Sequence, residues 1–326
     1  MRVLVTGSSG FIGTAVVNRL VEQGHEVLGV DRKEPKAGTA EHQFVEADIL
    51  DRERIESCFA EFRPEGMIHL AAHMSLREDG SSERYRANTD GTKFLMEASK
   101  ATPEMRRSIF TSTKYIFRDG QPEHDRHYNP DSTYGRSKAE MEELIWESDG
   151  GCPEWCIARP TTIWGPGMSP HYQRFLRMVK DGKYFHIGAG KVKKHMGFVG
   201  NAAAQYERLL VAPANQVHRK VFYITDYEPE IVSEWAEAFS RSFGGSKIHT
   251  LPKPIASLGG RVGDVIKKFV RPKFPFTSFR VKNLTTDDVC DPHLTEEVCG
   301  DLPFTMEQGV EITRDWFLAL EEEKSS

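Results

Sequence analysis

Residues 2–17 read RVLVTGSSGFIGTAVV: an apolar, β-branched run enters a loop with glycine at positions 7, 10 and 13 and leaves it as a helical pattern. Few short features restrict a fold more. Glycine allows a tight turn and close approach of backbone N–H groups to an anion, and the helix that follows points its positive end at the same place. Strand, glycine loop and helix in this order predict a βαβ unit with a pyrophosphate seated over its crossover. The first half of the chain keeps alternating, through EVLGVDR, RERIESCFAEF and MIHLAA. Strands are also expected at RRSIFTST, CIARP and VFYITD, and helices near NTDGTKFLMEASKA and TYGRSKAEMEELIWES. Such alternation implies a parallel sheet covered on both faces.

Asp31 ends the second predicted strand, 18 residues after Gly13. A carboxylate there accepts hydrogen bonds from the adenosine ribose and repels a 2′-phosphate, which predicts NAD rather than NADP. Arg32 beside it weakens that preference slightly. Beyond Arg159 the rhythm changes, with Gly and Pro punctuating RPTTIWGPGMSP and helices in PHYQRFLRMVKDG and NAAAQYERLLVAP. The expected fold class is α/β: a Rossmann-type doubly wound parallel sheet with a smaller mixed α/β substrate-binding domain capping its carboxyl edge. Residues 1–160, with about 216–228, form the first domain, and most of 161–326 the second.

The 43 Lys and Arg against 48 Asp and Glu give a net charge of −5, which argues against a nucleic-acid partner held by bulk electrostatics. Five scattered cysteines read as reduced structural thiols, and no metal site is expected. A strand starting at the second residue leaves no room for a signal peptide, and no apolar run is long enough to span a membrane, so the expected location is the cytoplasm.

In STYGRSK, Tyr134 and Lys138 stand four apart, one turn from each other on a helix face. A phenol titrates near pH 10, too high for a base at neutral pH, but a neighbouring ammonium and a positive nicotinamide both favour its ionised form. Tyr134 can then take a proton from a carbinol. Ser112 and Thr113 supply hydroxyls at the end of the preceding strand.

With these motifs in place, the chain resembles the extended short-chain dehydrogenases/reductases, within the nucleotide-sugar epimerase and dehydratase family. The resemblance runs through TGSSGFIG, VDR, ADI at 47–49, HLAA, ANTDGT, FTSTKYIF, STYGRSK, ARPTTIWGPG, FVGN and PFTMEQGVEITRDWF. It implies that Gly7, Gly10, Phe11, Ile12 and Gly13 cradle NAD, with Asp31 and Arg32 at its ribose and Asp48 and Ile49 at its adenine. Leu70, Ala71 and Ala72 line the cofactor, and Asn88 braces the active-site backbone. Thr113 hydrogen-bonds the reacting sugar oxygen, Tyr134 is the acid/base, and Lys138 binds the nicotinamide ribose and lowers the Tyr134 pKa. Thr161 and Thr162 pass the nicotinamide and substrate, and Lys194 meets the substrate diphosphate. No Arg-x-Gly-Asp stands near the C-terminal segment, where many sugar-nucleotide epimerases place an Arg on the phosphates; Arg280 in FRVKNL is the substitute candidate, with a plain surface arginine as the competing role. His73 and Met74, after HLAA, are candidates to touch the sugar, with loop packing as the competing role.

Dehydratases of this family carry two carboxylates after the threonine, where this chain has Lys114 and Tyr115. Phe117 and Arg118 also depart from the family's usual Tyr-Gly, and His195 stands where an Asp is common. The implied activity is therefore epimerisation of a nucleotide-diphosphate sugar, most simply at C4, by a Tyr134-assisted hydride cycle. Alternatives are a 4-keto-sugar reductase, a modified 4,6-dehydratase, a dehydrogenase of a hydrophobic alcohol and a non-catalytic NAD sensor. Apolar stripes on the helices at 88–101 and 133–149, including Met141, Leu144 and Ile145, are assigned to a homodimer interface, with burial inside the chain as the alternative. Ile255, Leu258, Val262, Val265, Ile266 and Phe269 mark a basic amphipathic helix, either a lid or packed helix of the small domain or a membrane-surface element.

Overall fold

The structure, a computed structural model, describes residues 1–74, 82–117, 122–188, 191–269 and 278–324. Its centre is a seven-stranded sheet: β1 (Arg2–Thr6), β2 (Glu26–Asp31), β3 (Gln43–Glu46), β4 (Gly66–His69), β5 (Arg107–Thr111), β6 (Glu154–Pro160) and β7 (Lys220–Ile224). All its pairings are parallel, in the order β7-β6-β5-β4-β1-β2-β3. This is the Rossmann-like, doubly wound arrangement. β1, β4 and β5 are almost wholly buried, as strands covered on both faces must be.

Helices α1 (Phe11–Glu22), α2 (Arg52–Phe62), α3 (Arg86–Ala101) and α4 (Thr133–Glu147) make the crossovers. Leu28, Phe59, Leu95, Phe110, Met141 and Trp155 share one core cluster. The chain divides into two compact units, the first being Met1–Ile163, Gly197–Tyr227 and Cys290–Pro303. Helix α5 (Val199–Val211) thus belongs with the sheet rather than with the later part of the chain. Its residues Ala202, Ala203, Ala204, Tyr206 and Leu209 are essentially solvent-free, because the small alanines let it lie close against α1. Residues 290–303 return to the same unit: Thr295 Oγ1 donates to the Tyr223 carbonyl at 2.9 Å and Tyr227 Oη to that of Gly300 at 2.7 Å.

The second unit comprises Trp164–Met196, Glu228–Val289 and Phe304–Ser326. Its core is aromatic. Trp164 is fully buried and meets Trp235 and Phe239 edge-on, while Phe175 stacks on Trp235, so Trp164 is a packing residue. Helices α6 (Lys253–Phe269) and α7 (Ser278–Leu284) lie in this unit around a cluster of Ile187, Ala256 and Val281.

Candidate active site

From β1 the chain winds one way to β2 and β3, and from β4 it winds the other way to β7. Where the direction reverses, the loops leaving the carboxyl ends of β1 and β4 border a crevice. The two loops touch there. Gly7 has φ +72° and donates to Val30 O at 2.8 Å, and a Cβ on it would lie 2.6 Å from Ala71 N. A Cβ on Gly13 would lie 2.0 Å from Gly7 O, so the loop tolerates no side chain at either position. Leu70 N donates to Thr6 O at 3.1 Å and Ala71 N to Thr6 Oγ1 at 3.3 Å, while Ala72 is exposed.

α1 starts at Phe11 and Ile12, both half-buried, with no side chain capping its N-terminus. Its first N–H groups and positive dipole end are therefore open to an anion. Ser8 Oγ is buried with no hydrogen-bond partner among the described residues. Asp31 accepts from Ser9 N and Lys33 N, each at 3.1 Å, which ties the glycine loop to the end of β2. Arg32 forms an exposed ion pair at 3.5 Å with Asp48, whose Oδ1 also accepts from Leu50 N at 3.0 Å. Ile49 behaves differently: its side chain is buried in the core cluster, so only its backbone is left to border a ligand. A side-chain-free cradle, an uncapped helix start, a buried free hydroxyl and a carboxylate at the second strand end fit a dinucleotide.

β5 leads into Ser112 and Thr113, and α4 opens with Ser132 Oγ capping Gly135 N at 3.0 Å. This puts Tyr134 and Lys138 on the buried face of α4. The Tyr134 phenol hydrogen-bonds the Thr113 side chain, and burial pushes it up to about 12, with Thr113 acting against the rise. Lys138 Nζ donates to the Thr111 carbonyl at 2.7 Å. Burial lowers it to about 7, opposed by Glu142 one turn on. In the chain without its cofactor, burial outweighs the Thr113 hydrogen bond that draws the phenol down.

Hydrogen bonds run from Thr6 at the end of β1 to the backbone of Tyr134. Thr92 Oγ1 donates to Asn88 O at 2.9 Å, so it must accept from His69 Nε2 at 2.9 Å. His69 Nδ1 is then the acceptor for Thr6 Oγ1 at 2.7 Å. Burial and Lys138 together hold the imidazole down to about 3, hence neutral. Asn88 exchanges hydrogen bonds with the His73 backbone at 2.8 and 3.2 Å and donates to Ser137 Oγ at 2.9 Å. Ser137 in turn donates to the Tyr134 carbonyl at 2.8 Å. His69, Thr92 and Ser137 were not among the residues singled out from sequence, although each sits inside a motif that was.

His73 lies at the carboxyl end of β4 with its ring edge-on to Tyr85 at 5.2 Å, and its Nε2 is buried with no partner among the described residues. Met74 next to it is 70% exposed. Thr161, just past β6, donates through N and Oγ1 to Ile224 O at 3.1 and 3.3 Å, and Thr162 follows half-buried. Lys114 and Tyr115 form a short 3₁₀ turn after Thr113. In the second unit Lys194 Nζ donates to Asn283 O at 2.8 Å, on the helix α7 that carries Arg280. The Arg280 side chain and Arg118 lie outside the described residues. Met141 and Ile145 are fully buried in the core cluster, and the partly buried Leu144 packs on it.

Fold and site together define an α/β enzyme built around a bound dinucleotide. Residues 3–225 match the family model described as the NAD dependent epimerase/dehydratase family, and the chain belongs to that family. NAD is accordingly its cofactor. Over 318 residues, 95% of this chain and 93% of the relative, it is 26% identical to an N-acetyl-α-D-glucosaminyl-diphospho-ditrans,octacis-undecaprenol 4-epimerase of Escherichia coli O157:H7. It is 30% identical to a 3-diazoavenalumate denitrifying reductase of a Streptomyces species, over 78% of this chain and 86% of that one. The fold matches a UDP-glucose 4-epimerase of Thermotoga maritima solved with UDP-glucose, at TM-score 0.74 and 23% identity, covering 98% of this chain and 100% of that one.

Proposed function

We propose that this enzyme is a 4-epimerase of a diphosphate-linked sugar, with a nucleotide diphosphate as the carrier. The observation that carries this reading is the buried Tyr134 phenol on Thr113, with Lys138 one turn further along α4. Bound NAD supplies a hydride acceptor that can return the hydride, and a positive ring that favours the phenolate. Thr113 Oγ1 is the group to orient the C4 oxygen, and Tyr134 Oη removes its proton as the carbinol is oxidised and returns it as the alcohol reforms. Lys138 holds positive charge beneath this exchange, and the Asn88–Ser137 link fixes the first turn of α4. Gly7, Gly10, Phe11, Ile12 and Gly13 would seat the pyrophosphate, and Asp31 the ribose. Within the first unit, His73, Met74 and Thr162 are the groups we assign to the sugar; for Lys194 and Arg280 the assignment to a diphosphate follows from the family resemblance alone.

Epimerisation is favoured over elimination because Lys114 and Tyr115 replace the carboxylates an added acid and base require. A carboxylate at Asp31 suits NAD retained through an internal redox cycle, which favours epimerisation over net reduction. A second carrier also has support: the relative matched over 95% of the chain is named for a polyprenyl diphosphate. The test is to supply UDP-, dTDP- and GDP-hexoses and an undecaprenyl-diphosphate N-acetylhexosamine to the NAD-loaded enzyme and resolve C4 epimers. Product from any of them, without net change in NADH, supports the reading. Consumption of NADH with a 4-keto sugar, and no epimer, replaces it with a reductase.

A further inference from the structure

Helix α6 is turned in an unusual sense for its composition. The residues on its buried face are small, Ala256, Gly260 and Gly263, with Ala256 packed against Ile187 and Val281. Three branched residues face out: Ile255 is 57% exposed, Leu258 65% and Val262 52%. At spacings of three and four they form one stripe along one side of the helix. An isolated exposed leucine needs no explanation, but an aligned row on a single helix does.

Charge says what covers it. Between Lys247 and Lys268 the sequence carries five Lys or Arg and a single acid, Asp264, in a chain whose net charge is −5. Lys253 and Arg261 are exposed on α6 itself. Asp264 is turned to the next helix, where its Oδ1 accepts from Ser278 N at 3.2 Å. An exposed apolar row on a helix whose charged residues are mostly basic, and which needs no membrane-crossing length, matches the interfacial zone of an anionic bilayer. We propose that α6 docks this enzyme on anionic membrane surfaces, with Ile255, Leu258 and Val262 entering the acyl boundary and Lys253 and Arg261 meeting lipid phosphates. This holds whatever sugar is turned over and does not rest on the epimerase reading.

The test is flotation of the full-length, NAD-loaded protein with vesicles of phosphatidylglycerol and phosphatidylethanolamine, beside vesicles of phosphatidylcholine alone. The protein is expected to float with the anionic vesicles only, and to be released by salt. Replacing the row together, I255S/L258S/V262S, should reduce bound protein by about tenfold or more with bound NAD unchanged. Arg261→Gln should weaken binding about fivefold, and it keeps the test valid if the triple variant fails to fold. Equal flotation of wild type and variants, or no flotation at all, overturns the proposal. So does concentration-dependent self-association in lipid-free buffer that the triple variant abolishes without any vesicle binding, which would make the row an interface between copies.

Discussion

Tyr134 and His69 show how one fold holds two buried titratable groups for different purposes. Tyr134 Oη is the proposed proton carrier, so Tyr134→Phe should cut turnover by about 10²–10⁴-fold while co-purified NAD stays unchanged. Chromatography of the nucleotide released on denaturation, beside an epimer assay, separates those two effects. His69 has no lone pair or proton to spare, since both ring nitrogens are committed to Thr6 and Thr92. Its pKa falls from 6.5 to about 3 on folding. Between those values the unfolded chain binds the extra proton, so this group takes stability away as pH falls from 6.5 towards 3 and has no effect above 6.5. Denaturant unfolding at a series of pH values should show that acid-side slope, and His69→Gln should flatten it. Lys138 behaves in the same sense over another window: its pKa drops from 10.5 to about 7, so stability rises as pH climbs between those values.

At the scale of elements, the glycine loop and the α4–β6 contact are the two joints on which the site depends. A methyl group at position 13 would sit 2.0 Å from Gly7 O, and backbone cannot give way as a side-chain tip can. Gly13→Ala should therefore yield protein stripped of NAD, measured as released nucleotide per chain. Behind the catalytic face of α4, Glu142 meets Arg159 of β6 through two hydrogen bonds at 3.0 and 2.6 Å, and neither side chain has any solvent exposure. Arg159 also donates to the Asp125 carbonyl, which draws the segment before α4 onto the same strand. Removing one partner leaves a buried charge alone. Arg159→Met should cost about 3–5 kcal/mol in urea unfolding, and the double variant with Glu142→Leu should recover much of it.

For the molecule as a whole, cofactor and stability are linked. A ligand that binds only the folded chain stabilises it by mass action, about 2.7 kcal/mol at a hundredfold excess over Kd. NAD added to stripped protein should raise the unfolding midpoint in a concentration-dependent way, and NADP should do so far less because Asp31 faces the 2′ position of the ribose in the proposed pose. Equal effects of the two would mean that Asp31 has another task. Among the described residues, no helix is long and apolar enough to cross a membrane.

What the sequence determined on its own was whatever local order encodes. The strand, glycine loop and helix, the placing of Asp31, and the Tyr134–Lys138 interval each lie within about 30 residues, and each depends on backbone periods and glycine sterics that need no distant partner. Six of the seven central strands are legible for the same reason, being continuous apolar runs. β3 is not: four residues at the sheet edge, partly exposed, leave too short a pattern to read. Tertiary packing decided the rest. It assigned α5 and residues 290–303 to the first unit, drew Thr6, His69, Thr92, Asn88 and Ser137 into one line from four elements, and buried Ile49 against the core. It also chose the face α6 turns inward, since close packing rewards fit over hydrophobicity at a given residue, and there the small residues fit.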